Sequence, residues 1–263
     1  MKRLPTLFVS HGAPTFALEP GLAGPRLSAL GRDLPRPQAV LVVSAHWLTP
    51  SVRVSTAQRP RTIHDFSGFD HALYDLQYPA DGHPLLAQRA LDCLRAAGGL
   101  SEPDAARGLD HGAWVPLKFL YPAADVPVFQ VSMSHRFDAE SAWALGQALR
   151  PLADEGVLIL GSGSLTHNLH EAVIGSRRTP AYVHEFVAWV QDAVVSGDSA
   201  RLRQTMLLAP HAARAHPTPE HFWPLLVAAG AAADALPVTV IEGGVEHNVV
   251  SMDSYVFGAA FGP

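Results

Sequence analysis

Only one cysteine, Cys93, occurs in the 263 residues. Without a second thiol the chain forms no intrachain disulfide and no thiolate metal cluster. Cys93 lies in a helix-like stretch (LLAQRALDCLRAAG), where a buried, inert thiol is expected. Charge is also scarce: 16% of residues are charged and the net charge is −5. No basic excess is present to neutralise phosphates, which argues against nucleic acid or an anionic membrane as the main partner. No run approaches the ~20 apolar residues of a membrane-spanning helix. The first residues, MKRLPTLFVSHG, lose their apolar character at Ser10-His11-Gly12, too early for a signal peptide, so a cytoplasmic protein is expected. Internal repeats, low-complexity tracts and long linkers are missing as well, which leaves one unit over 1–263 as the simplest organisation.

Apolar residues, by contrast, make up 48% of the chain, enough for a large core. Short β-branched or aliphatic runs at 6–10, 39–45, 126–133, 156–163 and 237–244 read as strands covered on both faces. Helix-like stretches lie at 84–98, 139–153, 180–196 and 219–233. Strands alternating with helices predict an α/β fold, a single three-layer α/β/α domain with a mostly parallel or mixed central sheet. The stretch 51–83, rich in Pro, Gly, His and aromatics, reads as loops packed over that sheet.

Histidine is plentiful: 14 against 19 Lys plus Arg. Three of the apolar runs end in one. TLFVS leads into His11, AVLVVSA into His46, and GVLILGSGS into His167. Ligands of open α/β sheets bind at the carboxyl ends of the strands, and imidazole is the commonest metal ligand. A single histidine at a strand end is ordinarily a satisfied polar residue; three at equivalent ends point to a shared site. His111 (LDHGAW) reads either as a loop residue or as a fourth member. His221 (HPTPEHFWPL) stands at a helix start, with Glu220 read first as a first-turn carboxylate favoured by the helix dipole. The Gly-Ser-Gly-Ser before His167 lacks the lysine of a phosphate loop and the order of a nucleophile elbow. His64, His71, His83, His135, His170, His184, His211 and His247 read as surface or structural, and His216 has no assigned role.

At these residues the chain resembles the class III extradiol dioxygenase superfamily, which includes the protocatechuate 4,5-dioxygenase catalytic subunit, and within it the DOPA 4,5-dioxygenase branch. The likeness is carried by SHGAPT (10–15), LPRPQAVLVVSAHW (34–47), TIHDFSGF (62–69), ALYDLQYPA (72–80), GLDHGAWVPL (108–117), GSGSLTHNL (161–169) and PTPEHFWPLL (217–226). It implies one divalent metal ion, Fe(II) for activity or Zn(II), held by His11, His46 and His221. His167 is implied as acid/base or as a further ligand, and His111 as a second active-site histidine near the substrate. Where the protocatechuate branch has a carboxylate as third ligand, this chain has His221. This departure matters, because two histidines with one carboxylate suit non-haem Fe(II), whereas three or four histidines in a tetrahedron suit Zn(II).

The implied reaction opens a catechol ring with O2 and leaves a ring-opened semialdehyde acid. It needs a base to take a catechol proton and an acid to return one, which a histidine with a near-neutral pKa can do. A zinc hydrolase on the same histidines and a non-catalytic binding member are the competing readings. The implied assembly is a monomer or small homo-oligomer. Trp47, Phe66, Tyr74, Trp114 and Phe222 are candidate pocket aromatics, and no basic residue stands out as a carboxylate clamp.

Overall fold

Strands without a polar face must be covered on both sides, and the most apolar runs of the chain accordingly lie at its centre. The computed structural model describes residues 3–176, 178–232 and 236–259. Six strands form one sheet: β1 (Thr6–Ser10), β2 (Ala39–Ser44), β3 (Val128–Gln130), β4 (Val157–Gly163), β5 (Val238–Ile241) and β6 (Ser254–Phe257). Their spatial order is β3-β2-β4-β1-β6-β5. The first four run parallel, and β6 is antiparallel to both its neighbours. All residues of β1, β2 and β4 are buried. The expected α/β fold with a mainly parallel, mixed sheet is the fold observed.

The main helices are α1 (Ala23–Asp33), α2 (Pro84–Ala96), α3 (His111–Leu120), α4 (Ala139–Leu149), α5 (Ala181–Val195) and α6 (Trp223–Ala232). Side chains alternate across a strand, and the end of β4 uses this to bring one helix to each face. Cβ atoms at Gly161 and Gly163 would lie 2.1 Å from the carbonyl oxygens of Pro224 and His221 respectively. Only glycine permits so close an approach by α6 and the turn before it. Ser162, between them, points to the other face, where its hydroxyl donates to the Gly112 carbonyl of α3. α6 is buried on all sides, with α4 packed on its outer face.

Several elements depart from the sequence expectation. The run at 139–153 divides at Arg150 because Pro151 opens a separate turn, Pro151–Asp154. The run at 126–133 splits into Val128–Gln130 and a short Met133–Ser134 strand. His221 belongs to a 3-10 turn, Pro219–His221, ahead of α6; the expected helix end at 233 lies outside the described residues, as do the termini of the 1–263 unit. The stretch 51–83 contains a strand, Val52–Ser55, and a helical turn, His71–Tyr74, among its loops. α1, α3 and β6 are additional elements. Gly24 and Pro25 disguise the start of α1, and Gly112 and Pro116 lower the helix propensity of α3. Cys93 is half-buried on α2 rather than buried. Among the described residues no helix is long and apolar enough to cross a membrane.

Candidate metal centre

The carboxyl ends of β2, β4 and β1 lie in register, with Ser44 opposite Ser162 and Ser10 opposite Gly163. His11 N–H donates to the Gly163 carbonyl and Ala45 N–H to the Ser162 carbonyl, each at 3.0 Å, extending both ladders one step beyond the strands. The chain then turns sharply at Gly12, whose φ of +63° suits glycine; a Cβ there would sit 2.7 Å from the Met252 methyl. His11 and His46 therefore emerge on either side of β4. The turn carrying His221 reaches the same point because Gly163 lets it lie against the strand end.

The Nε2 atoms of these three rings converge. His46 Nε2 lies 3.0 Å from His11 Nε2 and 3.3 Å from His221 Nε2. Hydrogen bonding on the far side of two rings fixes their tautomers. Pro116 has no N–H to offer the Gly112 carbonyl one helical turn back, and Ser162 donates its single hydroxyl hydrogen there instead. Toward His11 that hydroxyl can only accept, so His11 Nδ1–H is the donor, at 3.0 Å. His221 Nδ1–H donates to Glu220 Oε1 at 3.1 Å. Both rings thus aim bare Nε2 lone pairs at His46. One proton on His46 Nε2 would serve only one of them, whereas a cation serves all three. The separations match nitrogens held about 2.0–2.1 Å from a tetrahedral ion, which lie ~3.3 Å apart. The donor set fits a divalent metal.

Electrostatics agree. Burial, then the neighbouring histidines, push His11 and His221 well below the usual histidine pKa. His46 falls to about 4, through burial first and then His111. Neutral imidazoles are the metal-binding form.

Two further histidines flank the three. His111, the first residue of α3, has its ring 4.0 Å from that of His46 and 5.4 Å from that of His11. The reading of His111 as a loop residue gives way because Asp110 caps the helix, accepting from Ala113 N–H, and is itself fully buried against Ser44 and Arg107. His167 stacks on His221 with centroids 3.5 Å apart and planes 10° from parallel. It is not among the three whose ligand atoms converge; it groups with His221 and Glu220. Burial lowers its pKa, Glu220 opposing.

Of the two carboxylates behind these rings, sequence reasoning weighed Glu220 and missed Asp65. Asp65 Oδ1 lies 3.0 Å from His111 Nδ1, off the axis of a well-aligned hydrogen bond, and its Oδ2 lies 3.6 Å from His46 Nδ1. Burial works to raise the Asp65 pKa, but His111 and His46 hold it down at about 2. A lone acid within the aromatic run TIHDFSGF was the available signal. Glu220 does more than face a helix dipole, since it fixes the His221 tautomer. Phe66, Phe69, Tyr74 and His64 form an aromatic wall, with Phe66 5.8 Å from His111. Trp114 and Phe222 belong to the core instead. His216, fully buried, bonds the Leu165 carbonyl at 2.7 Å and so supports the segment that carries His167.

A mainly parallel α/β sheet with a histidine-rich candidate metal site at its carboxyl edge defines a class that the comparisons then specify. Residues 25–258 match the family model described as the catalytic LigB subunit of aromatic ring-opening dioxygenase, and the chain belongs to that family of metal-dependent extradiol ring-cleaving oxidoreductases. It is 40% identical over 256 residues to the 4,5-DOPA dioxygenase extradiol of Beta vulgaris, covering 96% of both chains. Its identity to the protein of the same name from Escherichia coli K12 is 38% over 259 residues, 97% of this chain and 95% of the relative. The crystal structure of an uncharacterized Escherichia coli K12 protein superimposes with a TM-score of 0.80 at 31% identity, covering 97% of this chain and all of that one. The family implies an aromatic substrate and O2.

Proposed function

We propose that this enzyme opens the ring of a DOPA-like catechol at a single Fe(II) held by His11, His46 and His221. The observation that carries the reading is the convergence of three Nε2 atoms with two more histidines beside them. Relatives named for DOPA cleavage, alike over nearly their full length, support the substrate class. When bound, the ion supplies an open face on which catechol and O2 meet in a productive orientation.

The chain's own residues handle the protons. His167, half-buried and with its pKa lowered, accepts a catechol proton and later returns it. His111, its Nδ1 facing Asp65, keeps Nε2 for the reactants. Phe66 and Tyr74 line an apolar wall for the aromatic ring. A ring carbon–carbon bond beside the diol breaks, and both atoms of O2 enter the product, one in its aldehyde and one in its carboxylic acid. The reading takes 1–263 as one catalytic unit, a monomer or small homo-oligomer in the cytoplasm, where a single cysteine suits a reducing environment. No nucleic acid or membrane partner is part of it.

The test is oxygen uptake by anaerobically Fe(II)-reconstituted protein with a panel of catechols that includes DOPA. Uptake with a yellow ring-opened product, absent from the Zn(II)-loaded form, is the expected result. No uptake at full iron occupancy would overturn the reading in favour of a zinc hydrolase, since three neutral nitrogens also suit Zn(II).

A further inference from the structure

Asp65 reaches two histidines of the site at once, and the chain two residues before it is firmly held. Ile63 N–H donates to the Leu109 carbonyl at 2.7 Å, and Trp114 Nε1–H to the Ile63 carbonyl at 3.1 Å, tying the segment to α3 and the residues before it. The Asp65 side chain is only 22% exposed. Its Oδ1 accepts from the His111 backbone N–H at 2.8 Å and faces that residue's ring Nδ1 at 3.0 Å. Its Oδ2 faces His46 Nδ1 at 3.6 Å.

We propose that Asp65 is a positioning residue that locks the rings of His46 and His111 in the Nδ1–H tautomer, so that one Nε2 faces the metal and the other remains free for the reactants. The proposal rests on the metal-centre reading above. Its chemistry is specific to a carboxylate. In that tautomer two Nδ1–H groups, together with the His111 backbone N–H, face Asp65, and an ionised carboxylate offers only acceptors on both oxygens. Asparagine has nearly the same shape but replaces one oxygen with an NH2 group, which would present hydrogens to an N–H. The ring on that side must then rotate or change tautomer. Carboxylates behind metal-bound histidines act in this way generally, and losing one typically costs 10–100-fold in metal affinity or activity.

The experiment uses the full chain loaded with Zn(II), which is diamagnetic. Zn(II) affinity is measured by competition with a chromophoric chelator for the wild type, Asp65→Asn and His46→Ala, and imidazole tautomers are read from long-range ¹H–¹⁵N spectra of histidine-labelled protein. The wild type is expected to show Nδ1–H on both His46 and His111. Asp65→Asn is expected to bind Zn(II) about 10–100-fold more weakly, with altered signals at one or both rings and an unchanged circular dichroism spectrum. Unchanged affinity and ring signals in Asp65→Asn would overturn the positioning role while leaving the metal centre intact. An Nε2–H tautomer on His111 in the wild type would overturn it too, even if the variant failed to fold. Wild-type affinity no greater than that of His46→Ala would instead sink the metal-centre reading, and this proposal with it.

Discussion

The site has two halves built on one plan. On one side Asp65 faces a metal-ligand candidate, His46, and a second histidine, His111; on the other Glu220 backs His221, on which His167 is stacked. The halves differ in how the second histidine is held. His111 starts a buried helix, its backbone N–H bonded to Asp65 and the adjacent Asp110 capping the helix. His167 is half-buried on an irregular segment, with Leu169, next but one, 60% exposed. A ring fixed on a helix end is suited to orienting a reactant. A ring on a partly open segment can exchange its proton with solvent between turnovers. In the proposed reading, the two halves divide positioning from proton transfer among the five histidines.

The largest expected effects fall on the atoms the halves share. His11→Ala, His46→Ala or His221→Ala should each abolish metal binding and turnover together, read as metal content after dialysis and oxygen uptake. His167→Ala should keep the metal yet lower kcat by roughly 10²–10⁴-fold, the usual cost of a lost general acid/base. A parallel loss of metal from His167→Ala would make that half a four-histidine site and break the comparison. Ser162→Ala frees the His11 ring from its fixed tautomer, so metal affinity should drop by about 10-fold or somewhat more, measured by chelator competition.

Acidity probes both halves together. His11, His46 and His221 have pKa values lowered in the folded state, so the unfolded chain binds protons first as pH falls. Their stabilisation is complete above about 6.5 and is lost as pH drops toward the His46 value of about 4. Metal-free protein should therefore melt at steadily lower temperature across that window; a flat profile would contradict the burial of neutral rings. The smallest effect lies outside both halves. Burial, with help from Glu19, raises the Glu246 carboxyl to about 7, so its stabilisation is present below about 4.5 and is lost as pH rises through about 7. Glu246→Gln should raise Tm more at pH ~8 than at pH ~5.

The amino-acid pattern by itself determined the layered α/β class and the central strands, because runs buried on both faces need no distant partner to be recognised. It also placed His11, His46 and His167 at or just beyond strand ends, where such sheets build their sites. The tertiary structure alone decided the rest. Helix α3 was hidden because Gly112 and Pro116 lower its propensity, yet the proline's missing N–H leaves the Gly112 carbonyl for Ser162, and Ser162 then fixes the His11 tautomer. Asp65 and His111 are 46 residues apart in sequence, and no local spacing connects them. Which nitrogen faces which depends on hydrogen bonds between distant segments, and those exist only once the sheet has brought its strand ends together.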